Sequence, residues 1–380
     1  MGFNLIVFSF CLLILSGKVD DSLIPDAIKL PDSCRLVAGF VSAAIITFVS
    51  IPTIVLISKH KKLYDVPNDR TSHLFNTPTL GGCAVLAGFT IATIIFSYRS
   101  SAAELAYILG GLIPLFFIGI KDDILIIDPK TKIIGQIFAS LIVIWIGGIY
   151  LSSFYDLLGI DNINSVIGII VTLFLFLILI NGFNFIDGID GLASAIGFIA
   201  SVFYGTWFIL TGNINYAILG FSLAGALGSF FYFNVFGKRH KIFLGDTGSM
   251  VIGFVEAILT VKFLEFNRIA EEKFRFTSAP AISVGLLIIP LFDTLRVFVL
   301  RLGKGKSPFK ADRNHIHHSL LALGLTHLNA TIIIVIVNLF LVILALLLKN
   351  FGILKLIAIL LLVMTGLSYI LHLIVRRHKK

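Results

Sequence analysis

Four polar side chains recur at every third position of one short stretch: Asn181, Asn184, Asp187 and Asp190, within Asn-Gly-Phe-Asn-Phe-Ile-Asp-Gly-Ile-Asp-Gly-Leu. A three-residue step turns about 300° on an α-helix, so neighbours in the series share a face while its ends fan apart. The intervening glycines let a ligand approach the backbone. Residues 166–180 before the stretch are almost wholly Ile, Leu, Val and Phe. Carboxylates beside such a segment are expensive and point to function. A plain turn would not need four polar groups in register.

Other clusters carry compatible chemistry. Asp122-Asp123 ends an apolar run; adjacent acids repel, and a cation relieves that. Oxygen ligands suit Mg²⁺, which is commonly held by one or two carboxylates plus phosphates. Lys132, nine residues on, is within reach of a phosphate oxygen. Gly245-Asp246-Thr247-Gly248-Ser249 opens another apolar segment. There the free N–H groups of a new helix favour an anion, although Asp246 equally fits a plain helix cap. Arg313, His315, His317 and His318 sit together after Asp293 and Arg296 and supply donors to phosphate or sugar oxygens. No cysteine lies near, so the acids suit a hard, oxygen-preferring ion better than zinc. A fifth cluster, Lys61 to His73, closes on Pro78 and Gly81-Gly82 and offers further anion partners.

The elements that position these groups are membrane helices. Of 380 residues, 57% are hydrophobic and 13% charged, against roughly 25% charged in a soluble domain. The expected fold is all-α: a polytopic transmembrane bundle of about eleven spans at 35–58, 80–97, 105–120, 133–150, 166–181, 193–211, 215–233, 249–264, 280–300, 330–348 and 353–375, lengths that suit bilayer-crossing helices. Residues 1–34 form an N-terminal extension, with a signal-like or short extra span at 4–16 followed by an outward-facing polar segment. Residues 35–375 form a single transmembrane catalytic domain, and 376–380 a basic tail. The cysteines, with no metal or redox spacing, read as small core residues.

The net charge of +9 does not imply nucleic acid. Nineteen Lys and Arg flank the spans on one side against seven on the other; the richer side is expected to be cytoplasmic, with the C-terminus there. All five polar clusters fall on that side, which describes a cleft on the cytoplasmic face: carboxylates for Mg²⁺, cations for phosphates, and membrane walls for a lipid. That is equipment for phosphoryl transfer to a lipid acceptor. The competing reading, a cation-coupled transporter, expects acids near the midplane and internal repeats; the acids gather at span ends and no repeat is visible.

The runs KLYDVPNDRTSH…TPTLGG, GIKDDILIIDPKTKIIGQ, NGFNFIDGIDGLA, IFLGDTGS and DRNHIHHSLLALG, in this order, resemble the polyprenyl-phosphate N-acetylhexosamine-1-phosphate transferase family (glycosyltransferase family 4). The His-Ile-His-His run looks like the branch using UDP-GlcNAc, whereas the branch using UDP-MurNAc-pentapeptide for peptidoglycan usually carries three consecutive histidines. The resemblance implies a multi-pass protein of the bacterial cytoplasmic membrane that acts on a UDP-N-acetylhexosamine and undecaprenyl phosphate. The products would be a lipid-diphospho-sugar and UMP, for cell-surface polysaccharide. Mg²⁺ is the implied cofactor, with Mn²⁺ an acceptable substitute, and a homodimer is compatible. Carried over residue by residue, Asp246 and Asp123 would hold the metal, and Asp122 and Asp123 would stand at the lipid phosphate as the catalytic carboxylates, one of them either deprotonating the acceptor or forming a covalent intermediate. Asn184 and Asp187 would hold the nucleotide, supported by Asn181 and Asp190. Arg313, His315, His317 and His318 would contact the diphosphate or sugar, and Lys132 the polyprenyl phosphate.

Overall fold

The computed structural model describes residues 30–63, 77–98, 102–125, 127–157, 159–303, 305 and 315–378. The extension at 1–29, most of the cluster from Lys61 to His73, and Arg313 lie outside them. The helices are α1 (Asp32–Lys61), α2 (Gly81–Phe96), α3 (Ala102–Leu125), α4 (Pro129–Leu141), α5 (Ser165–Ile186), α6 (Leu192–Leu210), α7 (Ile214–Phe231) and α8 (Gly245–Ile269). They continue as α9 (Ala279–Leu286), α10 (Ile288–Leu302), α11 (Ile316–Leu321), α12 (His327–Leu347) and α13 (Ile353–His378). Single π-helical turns extend α4 through Ile142–Ile146 and α7 through Tyr232–Phe236.

Each expected span coincides with a helix over most of its length except 280–300, which falls on two. Among the described residues, eight helices, some counted with their π-turns, are long and apolar enough to cross a membrane, and the bent pair α9–α10 adds a ninth. The other two are α2, of 16 residues, and α8, of 25 residues. Helix α8 tolerates Asp246, Glu256, Lys262 and Glu265 because it is the centre of the bundle, buried over most of its length by α2, α3, α5 and α6. Helix α1 packs on α2 and α7, and α9 packs on α12 and α13.

Local sequence sets the boundaries. Asn164 caps α5 by accepting the Ile167 N–H at 2.9 Å, Thr326 does the same for α12 toward Asn329, and Pro129 starts α4 where no N–H is needed. The expected single span at 280–300 is instead broken at Leu287, with the halves bent by 79°. Pro290 lacks the N–H that would reach the carbonyl four residues back, at Leu286, and its ring crowds that carbonyl. Asn338 of α12 supplies the missing donor, its Nδ2 lying 3.1 Å from the Leu286 carbonyl and 3.3 Å from that of Gly285. The core reading of the cysteines fails at Cys34, which is exposed near the start of α1.

The one described hairpin pairs Ser153–Leu157 (β1) with Ile160–Asn162 (β2). It sits at the far end of α8 from Asp246, where Glu265 accepts from the Ser152 backbone and hydroxyl. Arg268 donates to Ser152 and Asn162 there. The opposite end gathers the C-termini of α3 and α5 and the N-termini of α4, α6 and α8, and all the chemistry lies there.

Candidate active site

The site is built around the first turn of α8. Its opening N–H groups have no partner within the helix, and they receive one from another helix. Asp123, at the end of α3, accepts the Asp246 N–H through Oδ1 at 2.6 Å. Its Oδ2 accepts the Thr247 N–H at 3.1 Å and the Thr247 hydroxyl at 2.6 Å. Asp123 is thus a helix cap supplied in trans, with its charge facing the positive end of the α8 dipole. Gly245 makes the approach feasible: its φ is +73°, and an added Cβ would lie 2.6 Å from Asp123 Oδ1. A carboxylate offers about four lone-pair directions, and three at Asp123 are engaged.

Asp246, held by this cap, turns its side chain to a cation. Lys132 Nζ, from α4, lies 2.7 Å from Asp246 Oδ1 and 3.0 Å from Asp122 Oδ2, with Asn184 Oδ1 at 3.4 Å. Asn184 Nδ2 donates to Asp246 Oδ1, and to Ser249 Oγ at 2.9 Å. Asp122 is fixed from its own side by the Ile127 N–H at 2.8 Å. Four helices thereby converge on one ammonium, and three side-chain oxygens surround it.

The turn between α5 and α6 supplies the next acids. Burial, and then the nearby carboxylates of Asp246, Asp123 and Asp190, hold the Asp187 carboxyl well above the usual carboxylate range. Crowded acids of this kind are poised to accept a cation. Asp190 faces the other way. Its Oδ2 lies 2.7 Å from Lys241 Nζ and 3.2 Å from His327 Nδ1, and its carbonyl accepts from Thr331 at 2.7 Å. Burial opposes its ionisation, but the hydrogen bonds from His327 and Lys241 outweigh that and hold its carboxyl below the usual range. Asn234, in the π-turn after α7, completes the brace. It accepts the Gly191 N–H at 2.6 Å and donates to the Ile242 carbonyl at 2.8 Å.

The histidine run is anchored by Asp293 of α10, which is almost fully buried. Asp293 pairs with His315 Nδ1 at 2.8 Å, accepts the Ile316 N–H at 3.0 Å, and meets Arg296 at 3.5 Å. His315 and His317 stack in parallel with ring centroids 5.6 Å apart, and His318 stands 4.3 Å from His317. His317 packs against Gly188, where any Cβ would collide with the ring. Its buried Nε2 has no hydrogen-bond partner among the described residues. Burial, and then the His318 ring, push the His317 imidazole down to about 3, so it is neutral at pH 7.

Asp122, Asp123, Lys132, Asn184, Asp187 and Asp246 therefore meet in one cluster, and Gly188 joins His317 to it. Asn181 lies a helical turn away from Asn184 and ties α5 to α4, donating to Gln136 at 2.8 Å and to the Leu177 carbonyl. Asp190 is turned toward Lys241 and His327. His327 lies outside the polar clusters of the sequence; Asn234, Lys241 and Asp293 fall within or beside them, but their partners Gly191, Asp190 and His315 are set by the fold.

The donor set fits Mg²⁺. Among the described residues no three His, Cys, Asp or Glu side chains close on a point as a complete metal cage. Mg²⁺ does not need one, because it takes one or two carboxylates and leaves its other positions to water and phosphate. The oxygens of Asp122, Asp246 and Asn184 already hold a cation, the Lys132 ammonium, among them.

Residues 105–264, which contain the paired acids, the Asn/Asp series and the start of α8, match the family model for glycosyl transferase family 4. The chain is 30% identical over 281 residues to undecaprenyl-phosphate alpha-N-acetylglucosaminyl 1-phosphate transferase of Escherichia coli strain K12, covering 73% of this chain and 74% of that protein. It is 32% identical to the protein of that name from Haemophilus influenzae, over 73% of this chain and 76% of the relative. The Pasteurella multocida protein is 34% identical, over 72% and 75% respectively.

Proposed function

The chain belongs to glycosyl transferase family 4, a membership reached through relatives matched over most of their length, and from that premise we propose the following activity. The protein moves N-acetylglucosamine 1-phosphate from UDP-GlcNAc to undecaprenyl phosphate, releasing UMP, at the cytoplasmic face of a bacterial membrane. The observation that carries this reading is the convergence of Asp122, Lys132, Asn184 and Asp246 on one point beside the Asp187 turn. That grouping serves a donor diphosphate and an acceptor phosphate together. The names of the relatives favour GlcNAc over a MurNAc-pentapeptide donor.

In the reaction an oxygen of the lipid phosphate attacks the β-phosphorus of the donor. The bond from that phosphorus to the bridging oxygen breaks, and UMP leaves with the bridging oxygen. Lys132 orients and neutralises the acceptor phosphate, which otherwise faces the carboxylates. Asp122, 3.0 Å from Lys132, takes the proton of a singly protonated acceptor. Asp246, with Asp122 and the Asn184 amide oxygen, would hold Mg²⁺, which when bound neutralises charge developing on the phosphoryl oxygens. Asp123 positions Asp246 through the first turn of α8, in addition to the ligand role its place in the motif suggests. Because both Asp123 oxygens are engaged by Asp246 and Thr247, direct transfer is favoured over a covalent intermediate on that residue. His317 offers its Nε2, unpaired among the described residues, to the donor next to Asp187, with His315 held in line by Asp293.

The test is a panel of UDP-sugars given with undecaprenyl phosphate and Mg²⁺ to membranes containing the protein. UDP-GlcNAc should yield a chloroform-soluble labelled lipid and UMP. No lipid product from any UDP-N-acetylhexosamine would defeat the proposal.

A further inference from the structure

Two basic segments outside the acid cluster meet at the same end of the bundle. One is the last turn of α1 with its cap, Lys59, His60, Lys61 and Lys62; the other is Lys238, Arg239 and His240, after the π-turn of α7. Membrane topology asks for basic residues on this side, but it does not ask segments 180 positions apart to touch. Lys59 Nζ nonetheless donates to the Arg239 carbonyl at 3.1 Å, which holds like charges together. Among the described residues, Lys59, Lys61, Lys62, Lys238 and Arg239 form no ion pair.

The surface directly below this charge is apolar and exposed. Leu56 and Ile57 on α1 are more than half exposed, as are Tyr232 and Phe236 on the π-turn. Phe48 of α1 packs across on Phe233 and Tyr232, with ring centroids 4.8 and 6.0 Å apart. π-helical turns often mark functional positions, and this one splays two aromatic side chains toward the lipid. An acidic peptide would satisfy the charge and leave this floor unused; a molecule with an anionic head and greasy chains uses both.

We propose that Lys59, Lys238 and Arg239, above Phe48, Tyr232 and Phe236, form a binding site for a lipid with a phosphate headgroup, separate from the carboxylate cluster. The segment it grips continues into Lys241, which pairs with Asp190 at 2.7 Å, and then into Gly245 and Asp246. A bound lipid would therefore brace the approach to the catalytic turn without touching substrate. The proposal concerns a different surface from the transfer site and stands if the sugar assignment fails.

Native mass spectrometry of the full-length protein tests it, with phosphatidylglycerol, phosphatidylcholine, undecaprenyl phosphate and inorganic phosphate as separate arms. The protein should retain phosphatidylglycerol over phosphatidylcholine by about tenfold or more, since each basic side chain at a membrane surface contributes roughly fivefold. Lys238→Ser with Arg239→Ser should remove most of that preference. Phe48→Ser with Phe236→Ser should weaken retention of the lipid while sparing the weak binding of inorganic phosphate. Charge-dependent retention of undecaprenyl phosphate alone, with no preference between the phospholipids, would overturn the proposal by assigning these basic residues to the acceptor lipid of the transfer site. Equal retention of the two phospholipids, an unchanged preference in the Lys238/Arg239 variant, or inorganic phosphate binding as well as any lipid would overturn the proposal.

Discussion

The ammonium of Lys132 lies 2.7 Å from Asp246 Oδ1, so a side chain of α4 neutralises the acid that opens α8, the same carboxylate proposed to hold Mg²⁺. Removing that charge leaves Asp122 and Asp246 without their shared partner. In Lys132→Met, Mn²⁺ binding followed by electron paramagnetic resonance should tighten, because the competing cation is gone. Transfer should fall by about 100-fold or more, the scale of losing one oriented electrostatic group. Weaker Mn²⁺ binding in this variant would show that the lysine and the metal do not share the site.

The trans cap at Asp123 makes a separate prediction. Asp123→Ala strips the Asp246 N–H and both Thr247 donors of their acceptor and should cost about 1–2 kcal/mol of stability, as loss of a helix cap does. Asp123→Asn keeps one carbonyl oxygen for those donors and should melt closer to the wild type. Both variants should lose most activity while staying in the membrane, since Asp246 takes its position from this contact. A melting temperature in Asp123→Ala equal to that of the wild type would remove the positioning role.

Much of this arrangement is legible in the sequence, and the part that is not has a physical reason. Apolar length gives the spans, because a bilayer allows few ways to satisfy a backbone. Polar groups at span ends give Asp122, Asp123, Asn184, Asp187 and Asp246, because such residues are rare in so apolar a chain. The break at Leu287 is foreshadowed by Pro290, but the donor that satisfies the freed carbonyls is Asn338, nearly fifty residues beyond that proline. The pairings Asp190–Lys241 and Asp293–His315 link segments whose separation carries no periodic signal. Asp123 shows the same limit: the paired acids are evident, whereas the helix that one of them caps is known only from the fold.

Asp190 should be a structural clamp more than a substrate ligand. Its partners Lys241 and His327 come from different parts of the chain, and the three hold the α5–α6 turn in place. A double-mutant cycle of Asp190→Asn and Lys241→Met, read by thermal unfolding, should give a coupling of roughly 0.5–3 kcal/mol, the usual range for side chains in contact. Strict additivity would show that the ion pair does not brace the turn.

Acid should loosen the histidine run. Burial, and then His318, hold the His317 imidazole down at about 3 in the folded protein, against about 6.5 in an unfolded chain. As pH falls below about 6.5 the unfolded chain binds this proton first, so the stability tied to neutral His317 is present above that pH. It drains away progressively toward pH 3. The wild type should therefore lose more melting temperature between pH 7 and 5 than His317→Asn. Equal slopes in the two proteins would mean that His317 titrates normally.

Where the phosphorus goes tests the central claim most directly. UDP-GlcNAc labelled at the β-phosphorus, or separately at the α-phosphorus, is given with undecaprenyl phosphate and Mg²⁺ to the purified protein and to its Asp246→Asn variant. The account predicts that β-label enters the lipid, that α-label leaves as UMP, and that the variant does neither at an appreciable rate. β-Label recovered in UDP, or an Asp246→Asn variant as active as the wild type, would contradict it.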